Sequence, residues 1–449
     1  MKRLFSSFQN RCLALAVVVA LCQTSQSFGQ FFGAQRSVGG ISIDANGAVA
    51  APTVEQERQL AEVLQKARVE VPADLEPFAQ LRAVSLKHIE AALAKCAAEG
   101  IAVPEDIKYL AGLQRVEYVL VYPELNDIVL AGPAEGWRFD ALGNVVGATT
   151  SRPVVLLDDL MVALRTSDSS RLEAISCSID PTPAGIKRVR SLLGSMRTVS
   201  GRQPDRRPIE QAMGPQVVSV TGVPGDSHFA RVMVAADFRM KRLAMNFQPA
   251  PVEAMPSFMQ LISSSRQQVR NMTPRWWLAS NYEPLAKDAN GLAWQLRGQG
   301  VKCLTEEDHF NSEGQREKSV QADSLAQQWA QNMTDRYQEL AEQDSAFGQL
   351  RNVMDLAVVA ALINMEGLLD VAGLEIPQLL QTSEPLRYDV PKTVDAQASF
   401  IRQRGKWVVS ASGGVQLFPW HVADRSEEVA DIAPIREQFA TDTSNWYRQ

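Results

Sequence analysis

Histidine and cysteine are scarce in this chain. The four histidines, His88, His228, His309 and His421, are scattered and no Cys-x-x-Cys spacing occurs, which argues against a structural zinc site because such sites draw on closely spaced Cys and His pairs. Neither a metal nor a cofactor is therefore expected. The block GDSHF at 225–229 lacks the Gly-x-Ser-x-Gly elbow that exposes a serine nucleophile. The turns GQG at 298–300 and SGGV at 412–415 precede no helix, so neither reads as a phosphate loop. Basic residues are outnumbered, 45 Lys and Arg against 51 Asp and Glu, and an acidic chain is not drawn nonspecifically to nucleic acid or to an anionic membrane surface. Long apolar runs are also lacking after the first 29 residues. LAVVAALI at 356–363 has 8 residues between Asp355 and Asn364, which reads as a buried helix turn and not as a span of about 20 residues.

What is present begins with an address. Lys2, Arg3 and Arg11 precede an 11-residue apolar run from Cys12 to Cys22, followed by the small and polar QTSQSFG. That order of charged, apolar and small residues is a secretory signal peptide. Cleavage after Gly29 takes the formal net charge from −6 to −9 and leaves Cys96, Cys177 and Cys303, enough for one disulfide and an odd thiol.

The rest of the chain divides into a flexible Gly- and Ala-rich leader at 30–52, a helical region at 53–112, a mixed α/β core at 113–310, a helical hairpin at 311–375 and a C-terminal β-hairpin region with a tail at 376–449. Within the core, VEYVLVYP–ELND–IVLAGP and WRFDALGNVVG read as two β-hairpins. Three strand-to-helix units follow: PVVLL into DDLMVALR, ISCSI into DPTPAGIKRVRSLLGSM, and PQVVSVTGVPG into DSHFARVMVAADFRMKRLAMNF. Apolar β-rich runs alternating with helices predict an α/β fold with mixed α+β features and an at least partly parallel sheet. LAWQLRG and VKCLT suggest a further hairpin, and the C-terminal strands are expected to turn at Arg404–Gly405 and Gly413–Gly414. In the third helix, Phe229, Val232, Met233, Ala236, Met240, Leu243, Ala244 and Phe247 advance by 3 or 4 and form one apolar stripe. Arg231, Arg239, Lys241 and Arg242 take what is left.

No catalytic set is expected. Asp158, Asp159, Asp180 and Asp226 each stand where a strand gives way to a helix, with His228 just beyond. If the three strands are parallel neighbours, these side chains share the sheet edge where α/β folds bind ligands. The simpler reading is helix capping, because an Asp oxygen accepts from an orphan N–H of the first turn. Cys177, mid-strand among apolar neighbours, reads as a structural thiol. Arg275 and Trp276 form a candidate aromatic-basic contact, with alternation placing Trp276 and Trp277 on opposite faces.

The blocks AGPAEGW, RPVVLLDDLMVALR, ISCSIDPTPAG, GDSHFARVMVAADFRMKRLAM, RWW and FGQLRNVMDLAVVAALI, in this order between about 115 and 365, resemble a family of exported planctomycete proteins built around a domain of unknown function numbered 1598. The resemblance implies export and a shared fold, and it supplies no activity. The expectation is a non-catalytic exported protein that binds an envelope or extracellular partner, with no nucleic acid and no membrane span once the signal is removed. The alternative is a carboxylate-dependent hydrolase of glycan or envelope material using two of the four aspartates.

Overall fold

A computed structural model describes residues 40–44, 46–66, 71–195, 205–267, 274–306, 324–381, 387–399, 401–403, 406–408, 411–440 and 446–448. Residues 1–29, read as a signal peptide, the first part of the leader to residue 39, nearly all of the charged stretch at 306–318 and the turn expected at Arg404–Gly405 lie outside them.

The fold is mixed α/β, organised around two large sheets. The strands used below are β1 (Ile175–Asp180), β2 (Gln216–Thr221), β3 (Arg275–Asn281), β4 (Gly300–Thr305) and β5 (Ser412–Leu417). They occupy one side of an eight-stranded sheet in the order β2-β1-β5-β3-β4, and Thr393–Val394 and two short strands near residue 45 complete the β2 side. β3 and β5 run parallel; β1 is antiparallel to both of its neighbours, β2 and β5. The second sheet has seven strands and contains the expected first hairpin, Tyr118–Tyr122 against Asp127–Ala134. The second expected hairpin also forms, Trp137–Phe139 against Val145–Gly147.

Several local expectations need correction. The run PVVLL is not a strand: it contributes only a bridge from Pro153 to Val146, and Asn352 Nδ2 donates to the Pro153 carbonyl that a ladder would have used. LAWQLRG and VKCLT do not pair with each other, because Ala293–Gln295 joins the seven-stranded sheet and β4 joins the eight-stranded one. Gly413 and Gly414 are not a turn but the middle of β5. Their missing side chains let the backbone pass its neighbours, since an added Cβ would meet the Trp276 carbonyl at 1.5 Å and the Cys177 carbonyl at 1.9 Å.

Six helices build and flank the core: α1 (Leu157–Thr166), α2 (His228–Ala244), α3 (Phe258–Ser264), α4 (Leu325–Asp335), α5 (Tyr337–Gln343) and α6 (Ser345–Met365). The first arm of the expected helical hairpin is thus broken at Arg336. α6 runs for 21 residues and is apolar enough to cross a membrane, yet its apolar window is wholly buried in protein. A helix apolar on every side belongs in a core that surrounds it. It packs against α1, α2 and α5, and α2 in turn lies on β1 and β5. Cys96, Cys177 and Cys303 are all buried, and no disulfide joins them among the described residues.

Candidate functional site

The antiparallel pairing of β1 and β2 overturns the common carboxylate edge. Asp180 ends β1 opposite Val217, whereas Ser176 at the start of β1 faces Thr221, from which the chain leads to Asp226. Four residue steps along a strand separate these ends by roughly 13 Å. The four aspartates accordingly fall into two places.

At one end, the half-exposed Asp180 faces Arg275 across 3.6 Å. It does not cap its helix; the Thr182 hydroxyl does, accepting from Gly185 N–H at 3.0 Å. Alternation sets Trp276 and Trp277 on opposite faces, and Trp276, offered as the contact residue, is the one that points inward. It is fully buried, packs edge-on against Phe258 and tilted against Trp329 with ring centroids 4.8 Å and 4.7 Å away, and donates its indole N–H to the Ala326 carbonyl. The aromatic-basic pair therefore divides into a core residue and a surface residue, and presents no stacking platform.

At the other end, Asp159 and His228 do come together. Nδ1 of His228 lies 2.9 Å and 3.0 Å from the two carboxylate oxygens of Asp159, and both side chains are buried. Local sequence arranges this. Ser227 accepts from Ala230 N–H and caps α2, which sets His228 as the first helical residue facing the first turn of α1. The Tyr388 ring lies 5.9 Å from His228 with Arg231 stacked on it at 4.9 Å, and the Asp226 carbonyl holds the Tyr388 N–H. Ser227 also donates its hydroxyl to the Pro224 carbonyl at 2.6 Å. With its proton directed there, Ser227 is a cap and not a nucleophile, since a triad needs that proton on the histidine.

Two of the four basic residues expected off the apolar stripe of α2, Arg231 and Lys241, lie buried, and so does Asp237. Lys241 Nζ donates to Asp237 Oδ2 at 2.8 Å and to the Ile179 and Gly413 carbonyls, clamping β1 and β5 to the helix. Burial pushes the Asp237 carboxyl up to about 6 against the pull of Lys241. Burial also raises the Cys177 thiol well above its usual range, as a structural cysteine requires.

A cleft lies at the far end of α2. It encloses about 560 Å³ between Leu243 and Asn246 at the end of the helix, the Pro-rich joint from Gln248 to Pro256, and α3, with Trp329 of α4 also lining it. Its lining combines apolar groups with Asn246, Gln248, Ser257, Gln260 and Ser264, and no acidic or basic side chain lines it among the described residues. The volume is that of a small-molecule site. Sequence reading passed over these residues, though one signal was legible: Ser257-x-x-Gln260 is a capping box, and both of its reciprocal bonds form.

No curated protein and no solved structure is significantly similar to the chain. Residues 177–258, from Cys177 in β1 through α2 and the cleft wall to the first residue of α3, match a family described as "Protein of unknown function (DUF1598)".

Proposed function

We propose that this is an exported, non-catalytic binding protein of the cell envelope, and that its ligand occupies the cleft between the end of α2, the Pro-rich joint and α3. The observation that carries this reading is the cleft itself: about 560 Å³, lined by apolar surface and neutral hydrogen-bonding groups. Such a lining binds and orients; it offers no titratable group for proton transfer. Export rests on the signal-like residues 1–29 and on the resemblance to exported planctomycete proteins; an envelope partner follows from that address. The hydrolase alternative needs two carboxylates flanking one bond about 5–10 Å apart. Engagement of Asp159 by His228, and the placement of Asp180 at the opposite end of β1, weigh against it.

The test is incubation of the chain from residue 30 onward with envelope extract, followed by native mass spectrometry. A retained small molecule, lost when Ala250→Trp fills the cleft, supports the reading. Turnover of envelope material that Asp159→Asn abolishes would overturn it.

A further inference from the structure

Two glutamines in the cleft are held by their oxygen ends. Gln260 Oε1 accepts from Ser257 N–H at 2.8 Å, and Gln248 Oε1 accepts from Arg242 Nε at 3.1 Å and from Arg239 Nη1. A backbone N–H and a guanidinium can only donate. The assignment of oxygen and nitrogen in both amides therefore follows from chemistry, where it is otherwise ambiguous. Each Nε2H2 group is consequently turned the other way. Among the described residues neither group has a hydrogen-bond partner, and both side chains line the cleft, Gln260 exposed and Gln248 half-buried. Trp329, which also lines it, is fully buried, and its indole N–H has no acceptor among the described residues.

Asn246, which also lines the cleft, adds an amide with both a donor and an acceptor, so side-chain donors outnumber acceptors there. The Arg242 guanidinium that fixes Gln248 is bonded through Nη1 to a neutral partner, Gln397 Oε1, at 2.8 Å, while Arg239 is paired with Asp344. A cation behind an amide oxygen polarises that amide and strengthens its N–H groups as donors. Hydrogen bonds to an ionised acceptor are about twice as strong as neutral ones.

From this we propose that the cleft selects ligands by an acceptor-only oxygen group, a carboxylate, received by the amide groups of Gln248 and Gln260. The proposal rests on the cleft being the binding site and adds what is bound there. Recognition is by neutral donors, so the carboxylate is read by hydrogen bonding without direct ion pairing.

The test uses three sugars with one ring and different substituents: D-glucuronate, D-glucose and D-glucosamine. Each is titrated into 15N-labelled chain from residue 30 onward while the glutamine side-chain N–H2 resonances are followed. Glucuronate is expected to move the Gln248 and Gln260 signals downfield, with glucose binding at least about 10-fold more weakly and glucosamine not at all. Gln260→Glu and Gln248→Glu keep the inward bonds, because a carboxylate also accepts from Ser257 N–H or the two guanidinium groups, while replacing the outward donor by an acceptor. Each variant should stay folded and lose at least about 10-fold in glucuronate affinity. Equal or tighter binding of glucose or glucosamine overturns the carboxylate assignment and leaves the cleft as the site. Binding of glucuronate unchanged by both variants, or no shift with any of the three sugars, overturns it as well. Failure of the cleft itself is read separately, from ligand retention by the Ala250→Trp variant.

Discussion

Nδ1 of His228 sits 2.9 Å from Oδ2 of Asp159, tying the first residue of α2 to the first turn of α1 in a place where neither side chain meets much water. Removing either partner strands the other. Asp159→Ala and His228→Ala are each expected to lower the unfolding free energy by about 1–3 kcal/mol, the cost of an unsatisfied buried polar group. The double variant should lose less than the sum, because both single changes delete the same contact. Urea denaturation of the four proteins measures this directly; strictly additive losses would show that the pair is not coupled.

The Asp237 carboxyl gives the fold a pH signature. Its folded value of about 6 lies above the ordinary 3.8, so between these values the native state holds a proton that the unfolded chain has released. The contribution of this group is fully present below about pH 4 and is lost as the pH rises through about 6. Asp237→Asn should remove that slope from a plot of stability against pH. Asp237→Ala, which also deletes the oxygen accepting from Lys241 Nζ, should cost more, about 3–5 kcal/mol, since Lys241 would remain buried with neither counter-charge nor side-chain acceptor.

Arg275 and Trp276, adjacent in β3, should respond in opposite ways. Trp276→Ala empties a fully buried site between Phe258 and Trp329 and is expected to cost about 3–5 kcal/mol. Arg275→Ala deletes only an exposed 3.6 Å ion pair, a change within about 1 kcal/mol. Paired thermal melts decide this, and a larger loss at Arg275 would mean that Asp180 is held by more than surface charge.

Gly414 tests how closely β5 and β1 approach. A Cβ there would stand 1.9 Å from the Cys177 carbonyl, well inside contact distance, so Gly414→Ala should cost more than about 3 kcal/mol through backbone displacement. The same variant should expose the Cys177 thiol. Reaction of a maleimide with Cys177, absent in the native protein, reports it.

The legible parts of the fold were those dictated by nearby residues. The first hairpin, the second hairpin, the apolar stripe of α2 and the alternation of Trp276 and Trp277 all follow from local period or local turn chemistry. Partner choice between distant strands does not. The run PVVLL has the composition of a strand, but Asn352, distant in sequence, takes its Pro153 carbonyl. The glycines at 413 and 414 look like a turn until β1 and β3 are placed on either side of them. Of the candidate edge, only the meeting of Asp159 with His228 emerged from residues singled out in advance. The cleft escaped notice because Gln248 and Gln260 gain their meaning from Arg239, Arg242 and the Ser257 N–H that turn their amides outward.

β5 comes from near the end of the chain and stands between β1 and β3. Until residues 412–417 are available, those two strands face an open slot edged with unanswered amide and carbonyl groups. Synthesis must pass residue 417 before the main layer can close, and a message truncated before codon 412 would yield a chain whose sheet remains divided.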